Sequence, residues 1–111
     1  MLIGVKEFIE LGKQIVKEYN IRDLDSFRIK FDSLYPSIQI PLVSNKQEVF
    51  HHKDYSVATD VYMLNDGFVG VYGGFMINND IFLDWEDTDI NIEFYPYESS
   101  LSVVYKRIID N

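Results

Sequence analysis

The sequence predicts an α+β fold: an antiparallel sheet of about five or six strands with an N-terminal helix packed on one face. Three patterns predict it. Apolar residues recur at helical spacing near the start, they alternate with polar residues through most of the remaining chain, and turn residues punctuate the alternating runs. The chain, 1–111, reads as a single domain without repeat, linker or low-complexity segment.

The helix covers about Val5 to Tyr19. Val5, Phe8, Ile9, Leu11, Ile15, Val16 and Tyr19 fall on one side, and Lys6, Glu7, Glu10, Lys13, Lys17 and Glu18 on the other. Both charge signs share the polar side, which suits a helix covering a sheet better than a membrane anchor. Asn20 is its stop. From Ser26 to Asp32 the period changes to two, with Phe27, Ile29 and Phe31 against Arg28, Lys30 and Asp32, and this predicts a half-buried strand. After a turn at Leu34-Tyr35-Pro36, Ile38, Ile40 and Leu42 resume the alternation, with Pro41 placing that strand at an edge or ending it early. Ser44 to Lys53 is polar and irregular; a loop and a short helical turn capped by Asn45 and Glu48 both fit.

A meander of strands is expected from Tyr55. Val57 to Leu64 meets Asn65-Asp66-Gly67, a three-residue hairpin loop with glycine where a positive φ is needed. Leu64 then faces Phe68, Val61 and Met63 join Val69 and Val71 on one side, and Asp60, Tyr62 and Tyr72 fall on the other, with Tyr62 across from Gly70. Gly73-Gly74 marks a bulge or bend, and Asn78-Asn79 a turn. In a further hairpin Ile81, Leu83 and Trp85 oppose Ile90, Ile92 and Phe94, which leaves Phe82, Asp84, Glu86, Glu93 and Tyr95 on the reverse face. Tyr95-Pro96-Tyr97 ends that strand. Leu101, Val104, Tyr105 and Ile108 have the spacing of a short C-terminal helix, while Leu101, Val103 and Tyr105 alternate as a final strand would.

Charge is partitioned along the chain. Asp54 to Tyr105 contains no lysine or arginine but holds Asp54, Asp60, Asp66, Asp80, Asp84, Glu86, Asp87, Asp89, Glu93 and Glu98, together with Trp85, the only tryptophan. Everything before it is nearly balanced, with eight basic residues and seven acidic ones. A net charge of −8 argues against nucleic acid or an anionic membrane as a direct partner, since both select basic patches. The absence of cysteine excludes disulfides and thiolate chemistry, and no uncharged run is longer than Gly67 to Asn79, which is shorter than the roughly 20 apolar residues a bilayer requires. A soluble, cytoplasmic domain is the expectation.

The motifs of common catalytic and metal sites are incomplete. Asp87, Asp89, Asn91 and Glu98 reproduce part of a calcium-loop spacing, but Ile92 stands where the sharp turn requires glycine. His51 and His52 are adjacent and diverge in an extended chain. The glycines lack the lysine of a phosphate loop, and no serine sits in a nucleophile elbow. No catalytic residue, metal ligand or cofactor is therefore assigned, and a non-enzyme is expected. The remaining constellation interleaves acids with rings: Asp60, Tyr62, Tyr72, Phe82, Asp84, Glu86, Asp87, Asp89, Glu93 and Tyr95. Tyrosines concentrate binding energy and carboxylates steer a cationic partner. These residues suit an inhibitor that occludes a basic protein such as a nuclease or toxin, as an immunity protein or nucleic-acid mimic would. The alternatives are a structural subunit, a homodimer for instance, whose acidity serves solubility, and an enzyme with an unrecognised carboxylate site.

Overall fold

The computed structural model describes residues 2–52, 55–76, 85, 88–99 and 105–108. Its first element, α1 (Val5–Tyr19), buries Phe8, Gly12 and Ile15, a stripe at helical spacing. Gly4 offers no capping side chain, so Asp66 of a distant hairpin turn accepts the Val5 N–H at 2.7 Å instead. Asn20 closes the helix in the left-handed conformation, φ 51°.

A second helix, α2 (Leu24–Leu34), replaces the strand expected over Ser26 to Asp32. Asp23 caps it by accepting the Ser26 N–H at 3.1 Å. Leu24, Phe27 and Phe31 lie three or four residues apart and are buried, whereas Ile29, the middle of the apparent alternation, is 71 % exposed. The apolar residues at 27 and 31 satisfy both periods, and the cap decides for the helix. An Arg28–Asp32 pair at 2.9 Å adds one turn of surface support.

The strands among the described residues are β1 (Leu42–His51), β2 (Tyr55–Leu64), β3 (Gly67–Met76), β4 (Glu93–Ser99) and β5 (Tyr105–Arg107). All neighbours are antiparallel, in the order β1-β2-β3-β4-β5, so the fold is α+β with a five-stranded sheet. Ile38 and Ile40 are buried but precede the first strand, and Leu42 is 40 % exposed. The stretch expected to be a loop or helical turn is most of β1. Its register slips three times against β2, and Lys46 and Glu48 have positive φ, 52° and 54°, which mark bulges.

Strands β2 and β3 close tightly. Leu64 pairs with Gly67 across two residues, not three, and no described glycine has a positive φ. Every pair is consequently offset by one from the expected register: Tyr62 faces Val69 and Asp60 faces Val71. No bulge occurs at Gly73-Gly74, which stay in register with Ala58 and Val57. The expected alternation of Ile92, Glu93, Phe94 and Tyr95 holds, with Ile92 and Phe94 buried. The strand does not end at Tyr95-Pro96-Tyr97. It runs through them, and the Pro96 carbonyl accepts the Ile108 N–H at 2.8 Å. The donor that Pro96 lacks therefore faces the short outer strand, where one missing rung costs least. Tyr105–Arg107 is strand and not helix. The turn expected at Asn78-Asn79 and the Ile81, Leu83 arm of the last hairpin lie outside the described residues.

One face of the sheet meets the helices through aromatic rings. Phe8 contacts Phe31, Tyr62 and Phe94 with centroids 5.3, 5.7 and 6.3 Å apart, and Phe27 meets Phe94 at 5.3 Å. Helix α1 can approach β4 only because Gly12 has no side chain: a Cβ there would lie 2.5 Å from Phe94 Cε1. Gly12→Ala gains about 1 kcal/mol of helix propensity but overpacks the core, which costs about 1–3 kcal/mol. The expected outcome is a lower denaturation midpoint, with Gly12→Ala and Phe94→Leu together losing less than the sum of the two singles in a urea double-mutant cycle.

Candidate partner-binding site

The pleat of β2 sorts the predicted site residues before any partner is considered. Alternate residues point to opposite faces, and the observed register puts Asp60 and Tyr62 on the helix side with Val69 and Val71. Asp60 is 3 % exposed and Tyr62 1 %. Neither belongs to an outward surface, and the one-residue offset of the hairpin is the reason. Tyr72, Glu93 and Tyr95 do come together on the other face, where Tyr72 pairs with Glu93, and Tyr95 follows two residues later. Asp89 is exposed in the segment leading into β4, away from those three in the ladder. Phe82, Asp84, Glu86 and Asp87 lie outside the described residues.

Asp60 is held inside by its neighbours. Its Oδ1 accepts the Lys46 N–H at 2.8 Å, and this bond pins the β1 bulge between Ser44 and Gln47. The Lys46 ammonium turns outward to Asp25, 2.9 Å away, and passes 5.0 Å from the Phe75 ring centroid. Burial pushes the Asp60 carboxyl above its ordinary range, against the downward pull of the Lys46 N–H and the Lys46 charge. The Tyr62 phenol is raised as well, by burial and then by the Asp60 charge, while the Arg28 guanidinium lies 5.2 Å from its ring centroid.

The face away from the helices is curled. Four inter-strand steps of roughly 4.8 Å would separate the edges of a flat sheet by about 19 Å. Yet Gln47 of β1 donates from Nε2 to the Tyr105 carbonyl of β5 at 2.9 Å. Phe68 and Tyr105 close one end of the resulting trough, with centroids 4.9 Å apart. Toward the other end Tyr55 packs edge-on to Trp85 at 5.4 Å, and His52 stacks on Tyr55 at 4.6 Å. Arg22 donates to the Trp85 and Ile90 carbonyls at 2.9 and 3.3 Å, which ties those two residues to the link between the helices.

Between these ends lies a cleft of about 240 Å³. Tyr72, Tyr95, Tyr97 and Phe50 supply its rings, Glu48 and Glu93 its carboxylates, with Thr59 and Arg107 completing the lining. Tyr97 can lie across the floor because Gly70 is bare; a Cβ on Gly70 would collide with Tyr97 Cε1. The Tyr95 phenol is raised by desolvation first and by the neighbouring Glu93 second, with the Arg107 charge opposing both. The Arg107 guanidinium carbon sits 3.5 Å from the Tyr95 ring centroid. A base from beyond the acidic stretch thus returns to it in space, as Lys46 does to Asp60.

Glu48 and Phe50 escape a sequence reading because β1 looks irregular, and Tyr97 and Arg107 because the strand is expected to stop at Pro96. The alternation of Glu93, Tyr95 and Tyr97, traced through the proline, is the signal that finds Tyr97. Among the described residues no group of three or more His, Asp and Glu side chains is placed to hold a metal ion. Glu98, the last position of the calcium-loop spacing, sits in β4.

The fold and the cleft define an α+β protein with a trough of phenols and carboxylates on a curled antiparallel sheet. Its sequence matches no protein-family profile and no curated protein, and its fold matches no solved structure. No helix among the described residues is long and apolar enough to cross a membrane.

The elevated Asp60 carboxyl carries a sign. A folded-state value above the unfolded value of about 3.9 means that the folded chain binds this proton more tightly. The stabilisation is full below that unfolded value and is lost as pH rises through the folded one. Asn at this position keeps an oxygen for the Lys46 N–H. Urea midpoints measured across the acidic and neutral range should therefore fall with rising pH in the wild type relative to Asp60→Asn, and Asp60→Asn should be at least as stable at neutral pH.

Proposed function

We propose that this chain is a non-catalytic binding protein whose curled sheet face seats a basic segment of a partner protein and occludes it. The observation that carries the reading is the cleft, where three tyrosines and Phe50 surround the Glu48 and Glu93 carboxylates in a chain of net charge −8. Tyrosine rings give contact area at low entropic cost, and carboxylates beside them select and steer cations. The cleft is also smaller than the roughly 300–1,000 Å³ typical of small-molecule pockets. A single protruding side chain suits it better than a cofactor. Basic nucleases and toxins are the partner class this chemistry fits, with the acids meeting Lys and Arg that would otherwise hold phosphate. Under this reading the partner-facing residues are Glu48, Phe50, Tyr72, Glu93, Tyr95 and Tyr97, and the interior Asp60 and Tyr62 support the bulge and the core. Asp89, with Asp84, Glu86 and Asp87, extends the acidic surround in sequence, and Phe82 adds a ring to it.

A second reading has its own observation. Leu42, Val49 and Phe50 are exposed apolar side chains on β1, Phe50 at 64 %, and a second copy of the chain could cover that edge strand. Light scattering separates the two: a monomer that binds basic proteins supports the first reading, and a stable oligomer without such affinity the second.

The direct test is surface plasmon resonance of the purified chain against a set of basic nucleases, with acidic proteins as controls. Binding to at least one nuclease should be fast and weaken steeply with salt, as contacts screened over about 8 Å do. It should accompany inhibition of that nuclease. Glu48→Lys with Glu93→Lys should reduce affinity by about a hundredfold, since losing and reversing each charged contact costs about 1.4 kcal/mol or more. Thermal stability should change little, because both side chains are exposed. Salt-independent binding, or binding indifferent to the double reversal, would overturn the assignment.

A further inference from the structure

The cleft already contains a cation. Arg107 leaves the three-residue strand β5 and stacks its guanidinium over Tyr95 with 3.5 Å between the Arg107 carbon and the ring centroid. No salt bridge holds it there among the described residues: the three ion pairs found are Arg28–Asp32, Lys46–Asp25 and Lys106–Glu98. What keeps the guanidinium in the cleft is the ring beneath it and the field of Glu48 and Glu93 in the same lining. Arg107 is exposed, and β5 is tied to β4 at only three register positions. Little prevents the side chain from swinging away.

We infer that the cleft is a guanidinium receptor that takes an arginine side chain of the basic partner, and that Arg107 is its internal competitor. The inference rests on the reading of this sheet face as the partner-binding surface and names the side chain recognised there. Three features favour arginine over lysine. A guanidinium is planar and stacks face-on against phenols, while an ammonium is compact and more strongly hydrated. Tyr72, Tyr95 and Tyr97 share one lining and expose ring surface to a planar cation, and the observed Arg107–Tyr95 stack shows that the geometry is accessible. Glu48 and Glu93 then supply carboxylate oxygens from different strands, and the fixed planar fork of a guanidinium can donate to them while its face stays against a ring. A volume near 240 Å³ accommodates one such side chain among the rings and excludes a helix or strand. Arg107 keeps the cleft from standing empty and anionic, and it sets a threshold that only a better-placed guanidinium exceeds.

The test uses an arginine homopeptide and a lysine homopeptide of equal length and charge, titrated calorimetrically into the wild-type chain, Arg107→Gln, Tyr95→Ala and Glu93→Lys at low salt. Circular dichroism confirms that each variant is folded. The wild type should prefer the arginine peptide several-fold. Arg107→Gln should raise affinity for the arginine peptide about tenfold, the range of a stacked cation, and raise affinity for the lysine peptide clearly less. Tyr95→Ala should erase the preference. An equal gain for both peptides in Arg107→Gln reports only a lost positive charge, and it overturns the competitor. Equal binding of the two peptides by the wild type overturns the guanidinium receptor, while loss of both in Glu93→Lys would leave the partner-binding face standing. If neither peptide binds the wild type, the face and the receptor fall together.

Discussion

The closure of β2 onto β3 at Leu64 and Gly67 governs which side chains meet the helices and which line the trough. Strand side chains have a strict period of two, so one residue more or less in the turn would hand whole rows of β3 to the opposite face. With the observed closure Val69 and Val71 stand beside Tyr62 and Leu64 under the aromatic cluster of Phe8, Phe27 and Phe31. Phe68, Gly70 and Tyr72 turn the other way, and Gly70 becomes the bed for Tyr97. The turn is itself secured from outside: Asn65 donates to the Ile3 carbonyl at 3.0 Å, and Asp66 accepts from Val5. The first turn of α1 and the tip of the hairpin thus fix each other, and the register is set with them.

Among the described residues Asp60 is the charged side chain buried in β2, beside the polar Ser56 and Thr59, and its burial shapes the edge. A carboxylate in such a place requires a partner, and the backbone N–H of Lys46 provides it by swinging out of the β1 ladder. The bulges that result turn Gln47 toward Tyr105 and bring Glu48 to the cleft. A buried acid on the core side is in this way connected to the geometry of the opposite face.

Much of this is legible in the residues alone. Helix α1 has the bounds its apolar stripe implies, and the alternation into Ile92 and Phe94 survives intact. Helix α2 is not legible from periodicity, because Phe27 and Phe31 fit a strand and a helix equally well; Asp23 and Ser26 hold the distinguishing information. Strand β1 is hidden because bulges destroy the pattern that reveals a strand. For the site, alternation finds Tyr72, Glu93 and Tyr95, whereas one residue of loop sends Asp60 and Tyr62 to the wrong face. Arg107 cannot be found from linear charge at all. An unbroken run of acids in sequence says nothing about which base folds back over it.

The bulged edge has one more consequence. An unpaired outer strand normally offers a regular row of amides and carbonyls on which a foreign chain can crystallise into fibrils. Left-handed residues at Lys46 and Glu48 break that row at two points, so β1 presents a ragged hem that no straight strand can zip along. The irregularity that equips the trough also spares the molecule from polymerising through its own border.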